Sequence, residues 1–302
     1  MKIKTNTGTS DLRGKKLGKQ SPWAIARKKL LRNKLAMISL VFLMFIMLLA
    51  YTIPFFSNFN PTTVDIMNRN MPPSSIHWLG TDNSGRDVLM SLLYGARTSL
   101  TIGFICTFAV VLIGTVIGSI AGYYGGFIDN LLMRFTDFMM NFPFLVFVIV
   151  LATIFTESGI FSLIFVISIL SWTGIARVVR SKIMSEKENE YVMAAISIGS
   201  SPFKVIRKHL LPNVMTTIIV QATLILASMI VAETGLSFLG FGVPQGTPSW
   251  GNMIQEARQP HVIRNYWWIW VPPGLAITFT ILAINYIGEG IKDAFNPKST
   301  RL

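Results

Sequence analysis

The chain has 302 residues and a formal net charge of +13, and 51% of its residues are hydrophobic while only 14% are charged. Soluble globular domains average about 25% charged residues, so this composition argues against an ordinary soluble domain. Because Cys106 is the single cysteine, a disulfide framework and a thiolate metal site are excluded.

The basic N-terminal segment contains the sequence PWAIARKKLL at residues 22–31. This pattern is compatible with an amphipathic helix on the inner leaflet, or with an ordinary basic linker. The apolar stretch that follows is longer than a signal-peptide core. We therefore interpret that stretch as a retained membrane anchor.

Six apolar stretches follow one another along the chain, each close to the roughly 17 to 25 residues that cross a bilayer as a helix. They are residues 35–56, 100–123, 138–155, 160–176, 214–236 and 270–287. Helices buried inside a soluble domain rarely stay uncharged on every face over such lengths. The pattern predicts an all-α integral membrane protein with six transmembrane helices.

The stretches divide the chain into regions. Residues 1–34 form a basic segment, and residues 35–99 hold the first helix with an extracytoplasmic loop. Residues 100–290 form a core of five helices that contains a cytoplasmic loop at 177–213, and residues 291–302 form a tail.

The basic residues are divided unequally between the two sides of the predicted membrane. Twenty-two of the 27 Lys and Arg residues fall before the first stretch, in the second short loop, in 177–213 and in the tail. The other five are Arg69, Arg86, Arg97, Arg258 and Arg264. The positive-inside rule then places both termini and the 177–213 loop in the cytoplasm. The net charge concerns topology and lipid headgroups, not nucleic acid.

Glycine and proline mark particular places in the stretches. Gly114, Gly118 and Gly122 repeat every four residues, which favours close helix packing, either within the bundle or against a second subunit. Pro143 and the pair Pro272–Pro273 stand near predicted helix starts, where a missing N–H costs little.

Glu233 is the acidic residue predicted to lie within a membrane span, about one turn from the outer end of the fifth stretch. Because a charge in the membrane is expensive, such a carboxylate indicates a role in a pathway or gate. The alternative is that the side chain reaches water at the interface.

Two predicted extracytoplasmic loops are long enough to form a docking surface or lid. In the first, Asp82, Arg86 and Asp87 belong to LGTDNSGRD, which is also compatible with a turn closed by ion pairs. In the second, at 237–269, glycine and proline mark turns around a short helix that begins near Trp250. These four residues are our candidates for extracytoplasmic docking.

The 177–213 loop carries helix start and stop signals. Gly199 can supply a left-handed cap that ends a first short helix, and Ser200 or Ser201 can cap a second one that has Pro202 in its first turn. Pro212 then predicts the end of the second helix. Two short helices outside a membrane suit docking into a groove of a soluble partner.

Patterns of catalytic chemistry are missing from the sequence. It has no H-E-x-x-H or G-x-S-x-G motif, and a faint phosphate-loop resemblance at Gly8, Gly14 and Lys15 has the wrong spacing and no preceding strand. We therefore predict no catalytic residue, no metal site and no bound cofactor. Energy must come from a partner or an ion gradient.

The cytoplasmic loop resembles the coupling motif of ATP-binding-cassette importer permeases, in which E-A-A is followed by a glycine and then by I-x-L-P. Ala194–Ala195, Gly199 and Leu211–Pro212 match at the required spacing. Met193 stands where the family has Glu, although Glu190 lies three residues earlier, and His209 stands where it has Ile.

Further stretches, among them LGTDNSGRD, GARTSL, ETGLSFLGFGVP, PSWGNMI and DAFNP, are similar to the C-type permease of oligopeptide, dipeptide and nickel importers. The resemblance implies a type I importer permease in a bacterial cell membrane. It also implies a homologous B-type permease, two cytoplasmic ATPases that bind ATP and Mg, and an extracytoplasmic binding protein.

On this resemblance, the cytoplasmic loop couples the chain to an ATPase, with Gly199 setting the bend. The residues expected to take part are Glu190, Ala194, Ala195, Gly199, Ser201, Pro202, Lys204, Leu211 and Pro212.

Other functions remain open at this point. A nickel or metal-chelate importer would look alike, since substrate choice lies largely with the binding protein. A gradient-driven transporter would show ionisable residues at mid-bilayer, and an intramembrane enzyme would need a nucleophile and a base facing each other.

Overall fold

The computed structural model describes residues 22–57, 59–154 and 159–295. Parts of the predicted basic segment, the third span and the tail lie outside these residues. The α-helices are α1 Pro22–Arg32, α2 Lys34–Phe56, α3 Val88–Tyr124, α4 Gly126–Met140, α5 Phe144–Ile154, α6 Gly159–Ser171, α7 Thr173–Lys187, α8 Glu190–Ser197, α9 Pro202–Val205, α10 Leu211–Leu239, α11 Trp250–Gln255, α12 Pro260–Asn265 and α13 Trp267–Phe295.

Four continuous helices among the described residues are long and apolar enough to cross a membrane. They are α2, α3, α13 and the helix Pro202–Leu239, which joins α9 to α10. The bent pairs α4–α5 and α6–α7 raise the number to six if each pair is one span. The all-helical membrane architecture is thus confirmed, with four to six spans.

The third and fourth predicted spans are each divided by a bend. The 138–155 stretch contains the end of α4, a bend of 84° and then α5, and proline disfavours helix for the residue before it, so Pro143 accounts for the break. The 160–176 stretch contains a 42° bend between α6 and α7. There the Ser171 hydroxyl donates to the Ile167 carbonyl at 2.7 Å, a bond that bends helices.

Two helix starts also differ from the sequence prediction. Helix α3 begins at Val88, so the predicted loop 57–99 ends at Asp87, whose side chain accepts from the Met90 N–H and caps the helix. Helix α13 begins at Trp267, and Pro272 and Pro273 lie inside it instead of at its start.

Helix α1 confirms a helix in the basic segment. Ala26 is buried, and a side chain at Gly290 of α13 would collide with Ala36 and approach Leu30. Asn33 ends α1 and caps α2, because its side-chain oxygen accepts the Ala36 N–H at 3.2 Å.

The packing centres on α3. It lies against α7 and α10, while α2 and α13 pack on each other, and α10 contacts α13. One apolar core joins α3, α6, α7 and α10, and a second joins α2, α3, α10, α11 and α13. Helix α10 contributes to both cores, and thus connects the two sides of the bundle.

Gly114, Gly118 and Gly122 all face α7. A Cβ atom at Gly114 would lie 2.8 Å from the Trp172 carbonyl, and one at Gly122 would lie 2.8 Å from the Arg180 carbonyl. A Cβ at Gly118 would collide with the Ala176 carbonyl. The structure therefore uses the glycine stripe within the bundle, where it brings the backbones of α3 and α7 together.

Two ion pairs hold α4 to α7 and were not foreseen from the sequence. Both nitrogens of the Arg180 fork donate to the buried Asp129 carboxylate, and Arg177 pairs with Asp137. Each acid is 40 or 51 residues from its arginine. Spacing along one helix could not reveal such pairs.

We expect the variant Gly118→Ala to destabilise the chain, because its methyl group meets carbonyl backbone that cannot move aside. The expected loss is about 1–3 kcal/mol. Gly174→Ala is the matched control, since a Cβ at this exposed glycine of α7 meets nothing within 4 Å. Thermal unfolding in detergent measures both variants, and equal melting temperatures would contradict the packing role.

Candidate functional site

The elbow, defined as residues 190–212, begins with α8. At its end Gly199 has φ +79°, the left-handed conformation that glycine adopts without strain. The Gly199 N–H donates to Ile196 O at 2.9 Å and the Ser200 N–H donates to Ala195 O at 3.1 Å. This pair of bonds is a Schellman cap, and it confirms the predicted end of the first short helix.

The second helix of the elbow does not end where the sequence predicted. Ser201 occupies the N-cap position before Pro202, although its side chain makes no capping hydrogen bond. The helix then passes through one π-helical turn, Ile206–Leu210, and continues into α10. The predicted stop at Pro212 is wrong. The Leu211 N–H donates five residues back to Ile206, a widened turn of the kind that accommodates proline in a helix.

The elbow has an inner and an outer face. Val192, Ala195, Val205 and Leu210 are buried, and the three larger side chains join the core beside α7 and α10. The remaining predicted coupling residues face outward or are half-buried: Glu190, Ala194, Gly199, Ser201, Pro202, Lys204, Leu211 and Pro212. The inner face fixes the elbow to the bundle and leaves the outer face open.

Two large apolar side chains on the outer face are more exposed than any other in the elbow. Ile198 is 83% exposed and Phe203 is 72% exposed. Lys204, Arg207 and Lys208 are exposed beside them. Apolar tips surrounded by positive charge are suited to insertion into a groove with an acidic rim.

Tyr191 connects the elbow to α7 and α10, and it was not identified from the sequence. Its hydroxyl donates to Glu186 Oε2 of α7 at 2.9 Å and accepts from Asn213 Nδ2 of α10 at 2.8 Å. Asn213 also donates to the His209 carbonyl, and Asn189 donates to the same Glu186 oxygen. Burial, then the Glu186 contact, raises the pKa of the Tyr191 phenol. The phenol therefore stays protonated and remains a donor.

The end of α3 is also tied to this region. Lys187 Nζ donates to the Tyr123 carbonyl at 2.6 Å and lies 5.2 Å from the centre of the Tyr123 ring. A cation at a helix C-terminus is favourable. Lys187 thus ties the end of α3 to the end of α7, just before the elbow begins.

Glu233 lies near the other end of α10, 22 residues beyond Leu211 and therefore about 33 Å along the helix. Its side chain is fully buried, at 0% exposure, and accepts from the Ser237 hydroxyl at 2.9 Å. The buried Ser99 and Ser249 side chains lie beside the same carboxyl. The alternative that Glu233 reaches water at the interface is wrong in this structure.

The cap, defined as residues 59–87, is built around Asp82. Its carboxylate accepts from the backbone N–H groups of Ser84 and Arg86 and pairs with Arg86 Nε at 2.8 Å. Asp87 pairs with His77 at 2.8 Å instead of Arg86. The expected turn closed by an ion pair is present, with Asp87 outside it.

Trp250 is not available as a docking contact in this structure. It is 1% exposed, and its indole N–H donates to the Leu92 carbonyl of α3 at 3.1 Å. The backbone N–H of Trp250 donates to the Ser99 hydroxyl at 3.2 Å. The residue anchors α11 in the bundle.

A cavity of about 810 Å³ opens between the cap and the segment that follows α10. Its charged lining residues are Asp82, Arg86, Glu256 and Arg258. Glu256 accepts from the Asn83 N–H at 3.2 Å and lies 4.0 Å from Arg86. Burial, and secondly the Asp82 carboxylate, raise the pKa of Glu256 to about 7, while Asn83 and Arg86 oppose that rise.

Among the described residues, no group of three His, Cys, Asp or Glu side chains could hold a metal ion.

Comparison with known families gives two matches. Residues 21–73 match the N-terminal transmembrane domain of oligopeptide transport permease C. Residues 114–301 match the inner membrane component of binding-protein-dependent transport systems. The chain belongs to this family of inner membrane transport components.

Two relatives are similar to this chain over most of their length. The oligopeptide transport permease OppC of Lactococcus lactis subsp. cremoris is 42% identical over 88% of this chain and 91% of that protein. The dipeptide transport permease DppC of Bacillus subtilis is 39% identical over 91% and 86%, respectively.

A solved structure of the MetNI methionine ABC transporter, in inward-facing conformations, also matches. Its TM-score is 0.52 at 16% identity, over 69% of this chain and 97% of the matched chain. This likeness shows the fold, that of a type I ABC permease.

Removing the Tyr191 hydroxyl should loosen the elbow. We expect Tyr191→Phe to lower the stability of the chain by about 1 kcal/mol, because two hydrogen bonds between separate helices are lost. Ser197→Ala is the control, since the Ser197 hydroxyl bonds only the Met193 carbonyl of its own helix among the contacts described. Thermal unfolding of Tyr191→Phe, Asn213→Ala and the double variant should show strong non-additivity. If the losses of stability in the two single variants simply add in the double variant, Tyr191 and Asn213 do not share a hydrogen bond.

Stability should depend on pH through Glu256. The pKa of Glu256 is about 7 in the folded state, raised from 4.5. Its contribution to the free energy of unfolding is therefore fully present below the unfolded pKa and is lost as pH rises to about 7. The melting temperature of Glu256→Gln relative to the natural chain should therefore be higher at pH 8 than at pH 5. A difference that does not change with pH would refute this assignment.

Proposed function

We propose that this chain is the C-type permease subunit of an ATP-driven importer of oligopeptides or dipeptides. Together with a homologous B-type permease it forms the translocation pathway, and two cytoplasmic ATPases with ATP and Mg supply the energy. An extracytoplasmic binding protein delivers the peptide. Family membership and the permease fold support this proposal, and the peptide substrate is supported by relatives that are named for oligopeptide and dipeptide transport.

The observation that carries the coupling role is the outer face of the elbow. Ile198 and Phe203 are too exposed to stabilise the isolated chain, and burying a side chain of this kind contributes about 1.5–3 kcal/mol. A partner groove can supply that burial. Lys204, Arg207 and Lys208 add positive charge around the apolar tips.

The elbow is connected to the membrane helices in a way that can transmit motion. Helix α9 continues without interruption into α10, so displacement of Pro202 or Phe203 moves the start of a 38-residue helix. On the other side, Tyr191 ties α8 to Glu186 of α7. Closure of the ATPase pair would thus move α7 and α10 together as packed elements.

The charges of the cap fit a second contact, with the binding protein. Arg86 is half-buried and Asp82 is buried, and both are used inside the cap. We therefore propose that they shape the docking surface more than they touch the partner. The candidate role of Asp87 stays a prediction.

The complex with its B-type permease, ATPases and binding protein, reconstituted in liposomes, should take up labelled peptide in an ATP-dependent manner. Nickel is the competing cargo, since permeases of both kinds resemble this chain. Uptake of nickel without uptake of peptide would overturn the peptide assignment and leave the importer class intact.

Gly199→Asp should abolish uptake and uncouple ATP hydrolysis while the protein still inserts. A side chain at Gly199 meets nothing within 4 Å in the isolated chain, and Asp tolerates the left-handed backbone better than most residues. A loss of coupling would therefore indicate that the new side chain collides with the groove of the partner. The control is Gly159→Asp, at a left-handed glycine with equally open surroundings at the start of α6. Normal uptake by Gly199→Asp would refute the coupling role.

A further inference from the structure

Four fully buried polar side chains meet near the end of α10, away from the elbow. Glu233 and Ser237 come from α10, Ser99 comes from α3, and Ser249 precedes α11, and each is 0% exposed. Thr234 lies at the margin of this group, 3.5 Å from Glu233 Oε2. No arginine or lysine pairs with Glu233 among the described contacts.

Each of the three serines also accepts a backbone N–H from the segment 243–252. Val243 donates to Ser237 at 3.1 Å, Trp250 donates to Ser99 at 3.2 Å, and Asn252 donates to Ser249 at 3.0 Å. A hydroxyl has one proton, and when its lone pair accepts an N–H that proton remains for another acceptor. Ser237 gives its proton to Glu233 Oε1, and Ser99 and Ser249 lie beside the same carboxyl.

The two ends of this segment are packed into the bundle, since Val243 and residues 248–251 are buried, while residues 244–246 between them are exposed. Helix α11 packs against α3, α10 and α13. A Cβ at Gly251 would lie 2.5 Å from the Ser237 side chain, and one at Gly95 would lie 3.1 Å from the Ser249 backbone. Contacts this close leave residues 249–251 little room to shift while the hydroxyls keep their orientation.

We propose that Glu233 is a positioning residue, the common acceptor that orients three serine hydroxyls and thereby fixes the segment 243–252 between α3, α10 and α13. The inference rests on the proposed transport function. In this role Glu233 does not contact the substrate directly, because its carboxyl is fully buried and its two oxygens face Ser237 and Thr234. Transport then depends on Glu233 through the order of this segment.

The deciding experiment compares Glu233→Gln with the natural chain in the reconstituted complex. Gln keeps one acceptor oxygen but presents a donor NH₂ in place of the other, so the hydroxyls lose part of their acceptor. Glu233 bonds none of the Val243, Trp250 and Asn252 amides itself. Hydrogen exchange in peptides covering 240–255 should nevertheless become about 5- to 30-fold faster, and peptide uptake should fall.

Ser119→Ala is the matched control, because this buried hydroxyl has no hydrogen-bond partner among the residues that the structure describes. Its exchange and uptake should match those of the natural chain. Exchange in peptides covering α7 should stay unchanged in Glu233→Gln, which shows that the bundle is still folded.

Unchanged exchange at 240–255 together with lost uptake would overturn the proposal and favour a pathway-lining carboxylate. Faster exchange with normal uptake would also overturn it, since transport would not need the segment fixed. The exchange measurement does not depend on the cargo. A complex that carries nickel instead of peptide would thus refute the proposed substrate without affecting this test.

Discussion

The close approach of α3 and α7 is the contact on which the remaining structure depends. Three glycines spaced one turn apart remove the side chains that would hold the two backbones apart, and carbonyl groups of α7 occupy the space. Once α7 lies there, Arg180 reaches Asp129 and fixes α4, while Lys187 reaches the end of α3. The same packing sets where α7 ends and therefore where the elbow begins.

Helix α10 connects two polar clusters of different character. At the elbow, Tyr191 bridges helices in a partly exposed position, where hydrogen bonds can be exchanged for water at little cost. At the far end, Glu233 and its hydroxyl partners are fully buried, where an unmade hydrogen bond is expensive. The first arrangement suits a segment that responds to a partner. The second suits a segment that must stay ordered.

Some features could be predicted because they depend on local chemistry. The left-handed bend at Gly199 and the apolar helices follow from residue type and spacing, whereas the basic segment was compatible with either a helix or a linker. The break at Pro143 follows from proline geometry, although its 84° angle does not. The predicted helix end at Pro212 was wrong, because a π-turn in the preceding residues lets the helix continue where a missing N–H normally ends it.

The sequence by itself determined that the chain is a helical membrane protein with a polar loop that bends at Gly199, since composition, periodicity and glycine conformation act over a few residues. Only the tertiary structure decided what Glu233, Tyr191 and Trp250 do. Glu233 meets Ser99 from 134 positions away, and Trp250 meets Leu92 from 158 positions away. Burial and hydrogen bonding between such residues depend on how helices pack, which no local pattern encodes.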